Sequence, residues 1–147
     1  MNSLHAVFWA ALFGWLVAQT AKMINCLIES RKLDFSYMVS TGGMPSAHSA
    51  MASSLATSLG LCEGFDSSIF ALGTAFAVVV MFDAQSVRKA AGEQAKLLNQ
   101  IVDELLREHH LSEVKLKELL GHSRLEVFMG FLTGIVSAMA LFRFVHP

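Results

Sequence analysis

His122 and Glu126 stand four residues apart in His122-Ser123-Arg124-Leu125-Glu126, a spacing that places both on one face of a helix. A carboxylate held against one imidazole nitrogen fixes the tautomer and leaves the other nitrogen free to attack an electrophile. A second cluster is Gly42-Gly43-Met44-Pro45-Ser46-Ala47-His48-Ser49. Pro45 suits a first helical turn, and the N–H groups from Ser46 to His48 lack intrahelical acceptors at a helix start whose dipole favours an anion. A phosphate there could also take the Ser46 hydroxyl, with His48 a turn away as proton donor. The third cluster is Asp83 and Arg88, five apart at the end of an apolar run. Asp83 needs a partner or water in that position, and Arg88 offers a forked, permanently charged donor to phosphate. Each cluster has a plainer reading: a helix cap with an incidental histidine, an arginine pairing with lipid head groups, a structural His–Glu pair. Their placement on one face of one bundle is what turns them into an active-site expectation.

The elements that must position these residues are hydrophobic. Apolar residues make up 54% of the 147-residue chain and charged ones 16%, with 11 Phe and 8 Met. In an ordinary soluble domain about a quarter of residues are charged. The length suits one domain, residues 1–147, so any chemistry belongs to the bundle itself. Four runs carry the hydrophobicity: Leu4 to Ala18 continuing to Ile28, Ser46 to Leu61, Ser67 to Phe82, and Leu125 to Val145. The first has its basic residue after the apolar core, which argues for a membrane helix over a cleaved leader. The second and third are short for a bilayer core of roughly 30 Å, so the Ala-, Ser- and Thr-rich second run is expected inside the bundle. The fourth carries Gly130 and Gly134 at the spacing of a close-packing face. The expected fold is all-α: a polytopic membrane bundle of about four transmembrane helices.

Four crossings bring the ends of runs one and three and the starts of runs two and four to the same side. Ten of the 11 Lys and Arg residues lie at or beyond that face and only Arg143 lies toward the other, which predicts that this face is cytoplasmic. Both termini then lie across the membrane, where Cys62 to Asp66 makes a short turn. Residues 84–121 form a cytoplasmic insertion. Within it Leu97, Leu98, Ile101, Val102, Leu105 and Leu106 recur at three- and four-residue steps, giving a helix with one apolar stripe. His109-His110 ends that helix, and a second short one runs from Ser112 as N-cap to Gly121. The stripe can lie on the membrane, cover the mouth of the bundle or pair with a second copy, so a homo-oligomer stays open.

His5, His109, His110 and His146 fall in polar or terminal positions and read as solvated. Cys26 and Cys62 have neither a metal nor a disulfide-framework spacing. There is no glycine-rich nucleotide loop, zinc spacing or calcium loop. No metal, cofactor or nucleic-acid partner is expected.

The three clusters together resemble the type 2 phosphatidic acid phosphatase and vanadium haloperoxidase superfamily, and more closely its small divergent membrane branch. Pro45-Ser46-Ala47-His48 is similar to the superfamily's P-S-G-H, with Ala47 in place of Gly. His122-x3-Glu126 resembles its H-x3-D, with Glu126 in place of Asp, and Arg88 resembles the arginine that precedes that histidine, although Lys89 to Gly121 is inserted between them. The first superfamily motif, K-x6-R-P, is not reproduced: Glu29 stands seven residues after Lys22, and Arg31 is followed by Lys32. The divergent branch is similar over nearly the whole chain, through Thr41-Gly42-Gly43-Met44-Pro45-Ser46 and Asp83-x4-Arg88-x3-Gly92-Glu93-Gln94.

The resemblance implies metal-independent hydrolysis of a phosphomonoester or diphosphate through a phosphohistidine. His122 would attack phosphorus, Glu126 would orient it, and His48 would protonate the leaving alcohol and then activate water. Lys22, Arg31, Arg88, Ser46 and the backbone at Ala47 would hold the phosphoryl oxygens, with Asp83, Glu93 and Gly43 in support. A lipid phosphate is the natural substrate, because its head group lies at the depth of these helix ends. The rival expectation is a non-catalytic anion-binding or scaffold protein with a degenerate pocket. A transporter is a third, disfavoured by so few crossings.

Overall fold

The computed structural model describes residues 3–31, 43–109 and 122–145. Its helices are α1 (Ser3–Ser30), α2 (Ala47–Glu63), α3 (Ser68–Phe82), α4 (Arg88–His109) and α5 (Arg124–Val145), with a π-helical turn at Asp83–Val87 joining α3 to α4. All four apolar runs are helical. Ser46 and Ser67 cap α2 and α3, each accepting a backbone N–H three residues on. The short link between these two helices includes Gly64, whose φ of +93° suits a residue without a Cβ. In the insertion the expected first helix is α4, described as far as His109. The expected second helix, Ser112 to Gly121, lies outside the described residues.

The bundle is organised around α2, which packs against α1, α3 and α5, while α1 also packs against α5. The reason is the size of its side chains. Every buried residue of α2 is Ala, Ser or Gly, so three neighbours can approach its backbone from different sides. The contacts are correspondingly close. A Cβ on Gly14 of α1 would come within 2.7 Å of Ser54 Cβ. On α5, a Cβ on Gly130 would collide with the Ser46 carbonyl, and one on Gly134 with Ser53 Oγ and the Ala50 carbonyl. The Gly130-x3-Gly134 face is thus seated on the first half of α2. Hydroxyls tie the same interfaces: Ser54 Oγ donates to the Ala10 carbonyl at 2.7 Å and Ser53 Oγ to the Phe131 carbonyl at 3.0 Å.

Large apolar side chains point outward. Trp9, Leu72, Val79, Phe82, Leu125, Val136 and Phe144 are all exposed, whereas the buried polar residues include Gln19, Lys22, Ser46, Ser49 and His122. This reverses the arrangement of a water-soluble core and is that of a bundle solvated by lipid. Among the described residues three helical stretches are long and apolar enough to cross a membrane: His5–Ile28, Ser68–Asp103 and Arg124–Val145. The expectation of about four is met by length and composition in three. The remaining helix, α2, has 17 residues, about 26 Å at the α-helical rise, and is enclosed by its neighbours. The fold is an all-α, multi-pass membrane bundle with a bent helical extension.

Candidate active site

Four structural junctions meet at one end of the bundle: the start of α2, the start of α5, the π turn after α3 and the last third of α1. Backbone hydrogen bonds hold them in register. Ser46 N–H donates to the Glu126 carbonyl at 2.9 Å, locking the α2 cap to the first turn of α5. His122 N–H donates to the Ala84 carbonyl at 3.1 Å. That second bond answers how a histidine can share a site with residues before the insertion. The chain returns at His122 directly beside the turn from which it left, and Ala84 lies inside the π turn, where widened backbone pairing is a frequent companion of functional sites.

The His122 side chain is 1% exposed. Its Nδ1–H donates to Glu126 Oε2 at 2.7 Å, which fixes the imidazole plane and directs the lone pair to Nε2. Buried Nε2 has no protein hydrogen-bond partner among the described residues. The Glu126 carboxylate also accepts Ser123 N–H at 3.4 Å, and Ser123 Oγ accepts Glu126 N–H at 3.2 Å. This reciprocal capping box anchors the pair at the helix start. The His48 and His122 rings lie near each other, tilted by 59° with centroids 6.4 Å apart, a gap that a phosphoryl group can bridge.

Lys22 reaches the same end of the bundle from α1. It is buried, its charge interacts with the Glu126 carboxylate, and its stem passes below Gly43. Gly43 has φ +91°, a conformation that L side chains rarely adopt. Asn25, one turn beyond Lys22, donates to the Met44 carbonyl at 3.0 Å and ties the approach to α2 onto α1. Ser46 is fully buried; its N–H is taken by Glu126, and its hydroxyl accepts from Ser49 N–H and from Ser49 Oγ. Ser46 N–H therefore does not belong to the expected row of unengaged N–H groups.

A cavity of about 580 Å³ opens beside His122, lined by Gln85, Ser86, Lys89, Glu93, Ser123, Arg124 and Glu126. Glu93 pairs with Lys89 at 3.9 Å on its rim. Asp83 begins the π turn and is half-buried. Arg88 opens α4, and its side chain lies outside the described residues. Arg31 is exposed at the end of α1, nine residues past Lys22, and is not among the residues around the cavity. Sequence reading missed Gln85, Ser86 and Lys89 as cavity residues and Asn25 as a tether. Their proximity to Asp83 and Arg88 was the available signal, but the face they present depends on the π turn. Among the described residues, no three His, Cys, Asp or Glu side chains group as a metal site.

Fold and site together define a small multi-pass membrane protein with a histidine–carboxylate pair, a second histidine and a buried lysine at one end of a helical bundle. The chain belongs to the divergent PAP2 family, whose model matches residues 4–137. It is 44% identical to the uncharacterized membrane protein YuiD of Bacillus subtilis (strain 168), with 92% of each chain covered. No solved structure matches it. The family relates the chain to PAP2-like hydrolases and suggests a lipid substrate.

Proposed function

We propose that the protein hydrolyses a lipid phosphomonoester or diphosphate through a phosphohistidine on His122, without a divalent metal. The observation that carries this reading is the state of the His122 ring: Nδ1 is tied to Glu126, while Nε2 is buried, without a hydrogen-bond partner among the described residues, and beside a cavity. A structural histidine with one side in a cavity and one nitrogen unsatisfied would cost free energy with no return. A nucleophile needs that nitrogen.

In the first step the Nε2 lone pair forms the N–P bond as the P–O bond to the lipid alcohol breaks, and His48 gives its proton to the departing oxygen. Nδ1 shares its proton with Glu126, which offsets the positive charge that the ring acquires. In the second step water attacks phosphorus, His48 takes its proton, and the N–P bond breaks to release phosphate. Lys22, Arg88 and the Ala47 N–H balance charge on the phosphoryl oxygens, with Ser46 as the cap that fixes Ala47 and Lys89 and Arg124 at the cavity wall. Arg31 is the least supported of the expected ligands. The cytoplasmic placement of this face rests on the ten-to-one distribution of basic residues.

Purified protein should release phosphate from at least one of a panel of lipid phosphates and diphosphates in the presence of a chelator, and His122→Ala should not. If nothing in the panel is hydrolysed above the His122→Ala control, the pocket is an anion-binding module.

A further inference from the structure

A second cavity, of about 380 Å³, lies in the apolar body of the bundle. Its floor is α2 and its walls are α3 and α5, with Ala56, Thr57, Thr74, Val78, Phe131 and Ile135 among its lining residues. The lining is almost wholly carbon. The Ser53 hydroxyl at its edge is already spent on the Phe131 carbonyl. We propose that this groove holds a hydrocarbon chain of the lipid whose phosphate sits against His122. The assignment rests on the phosphatase reading and extends it to the substrate's tail.

Depth, continuity and size support it. Along α5 the groove starts at Phe131, five residues past Glu126, and reaches Met139, eight residues further. At the α-helical rise these steps are about 8 and about 12 Å, which keeps the groove within a hydrocarbon layer of roughly 30 Å. The wall is continuous with the site: Met81 at its upper edge lies three residues before Ala84, whose carbonyl holds His122. A phosphate at His122 therefore leaves room for the polar linkage of a lipid before its chain enters the groove. The volume suits one narrow chain, whereas a helix about 10 Å across would lie over the open side of the groove without filling it.

A tail moving from bilayer to groove exchanges one apolar surrounding for another, so little affinity is gained. The gain is orientation. A chain held between α3 and α5 aims its phosphate at Nε2, and the effect should appear in kcat more than in KM.

Val78 and Thr74 are exposed on α3, so Val78→Trp and Thr74→Phe can narrow the groove without entering the α2 interface. Short-chain and long-chain phosphatidic acids in detergent are the probes. In both variants the ratio of long-chain to short-chain kcat should fall about 10-fold or more, the scale of a modest misplacement of the reacting group. The second readout needs no turnover: phosphatidic acid with a photoreactive group on its chain, applied to wild type, His122→Ala and Val78→Trp. Labelling should concentrate on α3 and α5 in the first two and be displaced by unlabelled phosphatidic acid but not by phosphatidylcholine. It should be lost in Val78→Trp. Absence of turnover in wild type would remove the phosphatase reading alone, because labelling still decides the groove. An unchanged chain-length ratio in a working enzyme, or labelling spread over the lipid-facing surface and insensitive to Val78→Trp, would overturn the proposal. Efficient disulfide formation between copies by Val78→Cys in membranes would assign the groove to a second subunit and overturn it equally.

Discussion

At the scale of single residues, the groups proposed to bond the phosphoryl unit differ from those that hold them in place. Glu126 holds His122 through a 2.7 Å hydrogen bond, and in the proposed mechanism it does not bond to phosphorus. Glu126→Gln should therefore lower kcat by ~10²-fold, the scale of losing one preorganised electrostatic contact, while His122→Ala abolishes turnover. Steady-state kinetics of the two variants on one substrate checks the order, and equal loss would count against an orienting role. His48 lies on α2 with its ring centroid 6.4 Å from that of His122, and the proposed mechanism assigns it to proton transfer, worth about 10²–10⁴-fold in general acid catalysis. His48→Ala should thus lose most activity on an alkyl phosphate but much less, in phosphoenzyme formation, on an aryl phosphate whose leaving group needs no proton. A penalty independent of leaving group would reassign it. Much of this was legible in the sequence, because a four-residue His–Glu spacing and a Pro-Ser-x-His helix start are local patterns. Lys22 was legible as a basic residue at a helix end, but its electrostatic interaction with Glu126 was not, since it depends on how α1 and α5 pack. The engagement of Ser46 N–H by Glu126 was hidden for the same reason.

At the scale of elements, α2 determines what the others can do. Its small side chains let Gly130 and Gly134 of α5 sit against its backbone, and this seating sets the height of Glu126 relative to Ser46. Gly134→Ala would push a methyl group into Ser53 Oγ and the Ala50 carbonyl. It should destabilise the bundle by about 1–3 kcal/mol, the range for overpacking. Val136→Ala, at a 64% exposed position on the same helix, should stay within about 0.5 kcal/mol. Thermal unfolding in detergent compares the two, and similar shifts would argue against the close packing. The helices themselves were readable from hydrophobic runs and caps to within a residue or two. The π turn at Asp83–Val87 was not. Its sequence, Asp83-Ala84-Gln85-Ser86-Val87, carries no local signal for widening, and its Ala84 carbonyl bonds to His122 across 38 positions of chain.

At the scale of the whole molecule, one end of the bundle gathers the polar chemistry and the rest faces lipid. From the distribution of Lys and Arg we propose that this end faces the cytoplasm. Single cysteines introduced in residues 84–121, in a background lacking Cys26 and Cys62, should react with an impermeant maleimide only after the cells are permeabilised. Labelling in intact cells, with cytosolic controls unmodified, would reverse the orientation. Membrane class was legible from composition. The lateral groove between α3 and α5 was not, because it arises from how two helices splay across a third. The central claim, that this assembly makes His122 a nucleophile, is tested most directly by rapid quenching of the intact protein with a lipid substrate labelled in its phosphate. Wild type should yield an acid-labile, base-stable phosphoprotein that forms and decays at catalytic rates without magnesium, with the label on His122 and none on His122→Ala. Label on another residue, or full turnover by His122→Ala, would contradict it.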